Sequence, residues 1–151
     1  MVRQYSGTGC DMSIQDTFLA YADDFEKSYE SNDWSNLAQY FTENASYDSG
    51  DGQPIAQGRD AVLQKFESAV DGLDRKMGQR EIIAGELSTE GDTVVLKWTA
   101  RYTTGGLPVL AINGTEYARF DGDRMVELRD VIDEQSLAIV GEWMAAHGDS
   151  L

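Results

Sequence analysis

The apolar residues of this chain change their period once, near Met77, and that change restricts the fold more than any other feature. Before it, Ile14, Phe18, Tyr21 and Phe25 recur at helical spacing behind Ser13, which with Asp16 forms a capping box carrying Asp in place of Glu. Asn32 or Asp33 can cap a second, short helix bearing Trp34, Leu37, Ala38 and Phe41, and a third helix spans 58–70 with Val62, Phe66 and Ala69 or Val70 on one side. Beyond Met77 a period of two predicts strands over 79–88, 93–104, 111–120 and 124–133. They are separated by Glu90-Gly91-Asp92, Gly105-Gly106-Leu107-Pro108 and Asp121-Gly122-Asp123, which read as hairpin turns and so predict an antiparallel sheet. A segment at 45–48 can add an earlier strand. Residues 134–147 read as an amphipathic helix presenting Leu137, Val140 or Gly141, and Met144. The expected class is α+β, with helices segregated against one face of a curved sheet.

At 151 residues the chain has room for one domain, expected over 13–147, behind a Gly- and Ser-containing segment 1–12 expected to be flexible. Twelve Lys and Arg against twenty-seven Asp and Glu give a net charge of −15, which repels phosphate backbones and anionic lipid and so excludes nucleic acid and membrane surfaces as partners. The one cysteine, Cys10, cannot form an internal disulfide. Because no apolar run approaches the roughly twenty residues of a membrane helix and the N-terminus lacks a signal-peptide core, the expected location is the cytoplasm. The chain has a single histidine, His147, and no glycine-rich phosphate cradle, so neither metal nor cofactor is expected. Asp48-Ser49-Gly50-Asp51-Gly52 lacks the downstream glutamate of a calcium loop and reads as a solvated turn.

Two carboxylates interrupt apolar strand faces. On the last strand Val126, Leu128, Asp130 and Ile132 share a face, and on the preceding one Ile112, Gly114, Glu116, Ala118 and Phe120 do. With the hairpin tip near 121–123, keeping both apolar faces on one side sets Glu116 opposite Asp130 or one diagonal step away. Desolvation and mutual repulsion raise the pKa values of such a pair, so that one member can hold a proton at neutral pH. Asp130 then serves as a base and Glu116 as a donor to developing oxyanion charge. In the competing reading Arg101, Arg119 or Arg129 neutralises one carboxylate, or one of the two faces solvent. Across 93–104, Lys97, Thr99, Arg101 and Thr103 face one way and Val94, Leu96, Trp98, Ala100 and Tyr102 the other; the apolar set suits a core or an interface better than a ligand wall.

Three strings carry a resemblance: Asn32-Asp33-Trp34 with Tyr40 to Tyr47, Gly58-Arg59-Asp60-Ala61-Val62, and Phe120 to Asp130. In this order they resemble the cone-shaped nuclear-transport-factor-2-like (NTF2-like) fold, in particular its SnoaL-like, polyketide cyclase-like branch, over 13–147. The resemblance implies a funnel-shaped apolar pocket between sheet and helices, an apolar small-molecule substrate or ligand, and a homodimer. Taken with the strand faces, the expected catalytic residues are Asp130, Glu116 and Tyr47, and the expected substrate-binding ones Tyr21, Phe25, Ser49, Trp98, Phe120 and Leu128.

SnoaL-like cyclases use a last-strand Asp as acid/base in an intramolecular aldol closure, a pattern that Asp130 satisfies. Similarity to ketosteroid isomerase, whose oxyanion hole contains a neutral carboxylic acid, is confined to Glu116. That family's tyrosine and base fall on Phe25 and Ser49. Similarity to limonene epoxide hydrolase covers Asp130 as water activator and Tyr47 as water positioner, with Ser49 in place of Asn. That enzyme's Arg and acid fall on Lys97 and Thr99, or on Arg101 and Thr103, so its acid is missing. The expected function is cofactor-independent acid/base chemistry of cyclase or isomerase type on an apolar or polyketide-like substrate. An epoxide hydrolase with a rearranged site and a non-catalytic binding module are the alternatives.

Overall fold

A computed structural model of the chain describes residues 13–151; the expectations for Cys10 and for segment 1–12 lie outside them. Helix α1 (Ile14–Ser31) starts where the capping pattern predicts, with Ser13 Oγ accepting from the Asp16 N–H at 3.1 Å. It ends at Asn32, which turns the chain in a left-handed conformation (φ 60°). A 3-10 turn (Ser35–Tyr40) buries Leu37 and leads straight into strand β1 (Phe41–Asp48). Phe41, expected on the short helix, is therefore extended and pairs with Met125. After β2 (Ala56–Gln57), helix α2 (Arg59–Gly72) buries Val62, Phe66 and Val70.

The strands β3 (Gln79–Glu90), β4 (Thr93–Thr103), β5 (Leu110–Asp121) and β6 (Arg124–Ile132) follow as an antiparallel meander, and α3 (Glu134–His147) closes the chain. The sheet order is β2-β1-β6-β5-β4-β3. One departure from the expected antiparallel sheet is that β1 runs parallel to β6. No turn joins these two strands, so no hairpin dictates their relative direction.

A shift of register between Arg119 and Phe120 bends the β5–β6 hairpin, setting Phe120 opposite Met125 but Arg119 opposite Glu127. Met125 is consequently the fully buried residue, and Val126, expected on that face, is displaced from it. Helix α3 packs Val140 and Met144 against the smaller of two cores as its spacing suggests, but its face is rotated toward Trp143 and away from Leu137. Leu137 is 49% exposed, whereas Trp143 is 7% exposed and donates its indole N–H to Pro108 O at 2.9 Å. Ser136 Oγ, buried, accepts from the Asn113 N–H at 2.9 Å and docks the first turn of α3 on β5.

The larger core is aromatic and lies between α1, α2, β1 and β6. Phe66 sits at its centre, with ring centroids 4.9 Å from Tyr47, 5.3 Å from Phe25 and 5.8 Å from Phe41. A second cluster groups Met77, Ala100, Tyr102, Leu110, Ile112 and Trp143. No helix among the described residues is long and apolar enough to cross a membrane.

Candidate active site

The inner face of the sheet and the two helices α1 and α2 line an open-mouthed cavity of about 500 Å³. Its wall includes the even-numbered face of β4: Leu96, Trp98, Ala100 and Tyr102. These side chains, expected in a core or an interface, face the interior because the odd set carries the charges to the outside. There Lys97 pairs with Glu86, Arg101 pairs with Glu81, and the Thr99 hydroxyl donates to Asn113 Oδ1.

Glu116 and Asp130 are direct cross-strand partners on the cavity wall. Direct pairing on one face brings Cβ atoms to within about 5 Å, and the two carboxyls share a hydrogen bond. Tyr47, reaching across from β1, donates its hydroxyl to Asp130 Oδ2 at 2.9 Å, and the nearby Trp98 indole favours the ionised form of Asp130. None of the three arginines weighed for that role neutralises the pair: Arg101 is on the outer face with Glu81, Arg119 reaches Glu127, and Arg129 lies over the Tyr117 ring at 4.6 Å.

Burial, the charge of Asp130 and the shared hydrogen bond together push the Glu116 carboxyl well above the usual carboxylate range. Burial also raises Asp130, but hydrogen bonds from Glu116 and Tyr47 and the nearby Trp98 indole hold it back. One proton is thus shared, resting on Glu116, and Asp130 is the ionised member. Burial, then the charges of Asp130 and Glu116, raise Tyr47 as well, so its phenol stays protonated and remains a donor.

Two glycines make this geometry possible. At Gly50 (φ +73°) a Cβ would lie 2.5 Å from the main-chain oxygen of Asp130, so the loop after β1 can close over that strand only without a side chain. Gly114, opposite Trp98 on β5, leaves the space that the indole fills; a Cβ there would lie 2.4 Å from Trp98 Cζ2. A Gly114→Ala variant is therefore expected to push the ring off Asp130 and to lose about 1–3 kcal/mol by overpacking. In a ¹⁵N spectrum the Trp98 indole cross-peak should move while those of Trp34 and Trp143 stay. Unchanged stability and an unmoved Trp98 peak would rule out this packing.

The raised carboxyl also makes a prediction for stability. A group whose folded pKa exceeds its unfolded value favours the fold below its unfolded pKa, near 4.3 for Glu, and that contribution is lost as pH rises through the folded pKa. Glu116→Gln removes this loss. The melting temperature of the variant relative to the wild type should therefore climb in calorimetry as the pH rises above about 4. A gap that stays constant as the pH rises would place Glu116 in water.

Of the residues expected to bind substrate, Tyr21, Phe25, Ser49 and Trp98 line the cavity. Phe120 and Leu128 do not. The bulge at the end of β5 and the inward turn of β6 sink them, at 3% and 0% exposure, into the aromatic core. Lys97, Thr99, Arg101 and Thr103, the positions compared with the epoxide hydrolase pair, lie on the β4 face opposite the cavity-lining set. Sequence reasoning missed Glu26, Asp74 and Arg80, which line the far end of the cavity with Tyr102. Alternation along β4 could have signalled Tyr102. Asp74, in the 3-10 turn after α2 (Asp74–Lys76), carries no periodic signal. No cluster of three or more His, Cys, Asp or Glu side chains suited to a metal ion occurs among the described residues.

Residues 22–130 match the SnoaL-like domain family. The chain thus belongs to the SnoaL-like domain family. A protein from Shewanella putrefaciens CN-32, named for its likeness to SnoaL polyketide cyclases, superposes with a TM-score of 0.65 at 15% identity, over 97% of this chain and 99% of that one. SalBIII, an epoxide hydrolase/cyclase-like enzyme with a role in pyran ring formation in the polyether salinomycin, gives 0.60 at 22% identity, over 82% and 92%. TerC, co-crystallised with polyporic acid, gives 0.62 at 12% identity, over 86% and 98%. At such identities the likeness concerns the fold alone. No curated protein matches the sequence.

Proposed function

We propose that this protein is a cofactor-independent enzyme of cyclase or isomerase type that moves protons on an apolar, carbonyl-bearing small molecule of polyketide character. One observation carries the reading: Glu116 and Asp130, paired directly across two strands, both face a largely apolar cavity. Proton transfer from carbon needs a desolvated base beside a donor aimed at the oxygen where charge develops. Asp130 takes the proton from the carbon next to a carbonyl, and the C–H electron pair moves into an enolate. Glu116 turns its proton from Asp130 to the enolate oxygen, which removes one donor from Asp130 and strengthens it as a base. In a cyclisation the enolate carbon then attacks a second carbonyl carbon, forming a C–C bond, and the resulting alkoxide takes the proton held by Asp130. Tyr47 and Trp98 are positioning residues that keep Asp130 ionised and oriented.

Membership of the SnoaL-like family supports this reading, as does the absence, among the described residues, of an arginine paired with either carboxylate. A soluble cytoplasmic homodimer, with the outer face of the sheet as its interface, completes the proposal. Incubation in D₂O with a panel of aryl ketones and 1,3-diketones tests it. The wild type is expected to catalyse deuterium incorporation at the α-carbon. Binding of panel members without exchange would favour a binding module, and diol formation from small epoxides without exchange would favour the epoxide hydrolase.

A further inference from the structure

The cavity has a second polar end, remote from the acid pair. Asp74 Oδ1 accepts from the Tyr102 hydroxyl at 2.8 Å, and Asp74 Oδ2 lies 2.9 Å from Arg80 Nε. Arg80 Nη1 and Nη2 donate to the two carboxylate oxygens of Glu26 at 2.7 and 3.3 Å, and the guanidinium lies 4.4 Å over the Tyr29 ring. The Arg80 side chain is only 8% exposed and that of Asp74 16%, whereas Glu26, at 49%, forms the solvent-facing side of the cluster. Its members come from α1, the turn after α2, β3 and β4, and Glu26, Asp74, Arg80 and Tyr102 all line the cavity.

We infer that this cluster is a second binding station, which receives an uncharged hydroxyl at the far end of an elongated substrate and rejects an anionic group there. It extends the proposed acid/base reading, on which only the near end of the ligand rests.

Charge and hydrogen-bond capacity identify the ligand group. An arginine facing a cavity ordinarily suggests a carboxylate or phosphate, because its fork binds either in bidentate fashion. Here Glu26 already occupies the fork, and Asp74 lies beside Nε at ion-pair distance although that N–H makes no hydrogen bond, so one cation faces two carboxylates and the station is net negative. A ligand anion would have to displace Glu26 and lie beside Asp74. The Asp74 carboxylate, by contrast, offers about four lone-pair sites and uses them on two partners, which leaves it free to accept from a ligand O–H.

Spacing identifies the ligand's shape. Trp98, beside Asp130, and Tyr102, bonded to Asp74, line the same cavity from one strand. Four residues of strand separate them by about 13 Å. Between the two stations the wall is apolar, with Ala100, Ile82, Ile112 and Val70. The complementary molecule is rigid or extended, polar at both ends, apolar in the middle and without an acid group.

Stilbenes of matching length provide the test by fluorescence titration: 4,4′-dihydroxystilbene, 4-hydroxystilbene, 4′-hydroxystilbene-4-carboxylate and unsubstituted stilbene. The diphenol is expected to bind about fivefold tighter than the monophenol, the worth of one hydrogen bond near 1 kcal/mol, and also tighter than the carboxylate. In Asp74→Ala the second-hydroxyl advantage should vanish while unsubstituted stilbene still binds, showing an intact cavity. In Asp74→Asn, an isosteric change that removes charge alone, discrimination against the carboxylate should shrink. The inference is overturned if none of the four binds the wild type, if the carboxylate matches the diphenol, or if Asp74→Ala leaves the diphenol advantage intact. Sensitivity of the diphenol to Asp130→Asn but not to Asp74→Ala refutes the far station and spares the acid pair. The reverse pattern supports the far station and counts against the acid pair.

Discussion

Phe66→Ala is expected to cost about 3–5 kcal/mol of folding stability, the range for truncating a buried aromatic residue. Domains of this kind are stable by only about 5–15 kcal/mol, so the variant should unfold at a far lower urea concentration. The size of the effect follows from the position of the ring. Phe66 is 2% exposed and is the one side chain that meets Tyr21, Phe25, Trp34, Phe41 and Tyr47 together. Helix α2 is anchored to β1 through it. The same truncation leaves a void beside Tyr47, so the hydroxyl that holds Asp130 loses its backing. Urea unfolding measures the first effect, and a loss below about 1 kcal/mol would show that the cluster does not depend on Phe66.

Asp130→Asn is expected to reduce α-proton exchange by about 10²–10⁴-fold, the usual worth of a positioned general base. Asparagine keeps the shape and can accept from Tyr47, but it cannot take a proton. In the wild type the rate should follow a bell-shaped pH profile. At low pH both carboxyls are protonated and no base remains; at high pH both are ionised and the donor is lost. The two limbs report values that belong to the pair rather than to either residue. Exchange in the variant within about threefold of wild type would remove Asp130 from the chemistry.

Much of this architecture was legible before any coordinates. Ser13 and Asp16 marked the start of α1 because capping is local, and the parity of Ile112, Gly114 and Glu116 against Leu128 and Asp130 set the acid pair face to face because one hairpin joins their strands. What escaped was decided at long range. The parallel pairing of β1 with β6 joins residues more than eighty positions apart with no turn between them, such as Phe41 and Met125. The bulge that replaces Val126 by Met125 in the core leaves the composition of the strand unchanged. Helix α3 could have turned either Leu137 or Trp143 inward by spacing alone; the Pro108 carbonyl offered Trp143 a partner that only the fold supplies. The dual role of Trp98, cavity wall and neighbour of Asp130, depends on the missing side chain of Gly114 across the strand. Asp74 and Arg80 meet only because the turn after α2 passes over β3.

The central claim is that Glu116 and Asp130 share one proton inside the cavity, and titration of the side-chain carboxyls by ¹³C NMR tests it most directly. Assignment by Glu116→Gln and Asp130→Asn isolates the two signals among the twenty-seven Asp and Glu residues. The account predicts a coupled pair in which the Glu116 signal stays in its protonated position far above pH 4, with Asp130 ionising first. Independent titration of both signals near the ordinary carboxylate value of about 4 would contradict it.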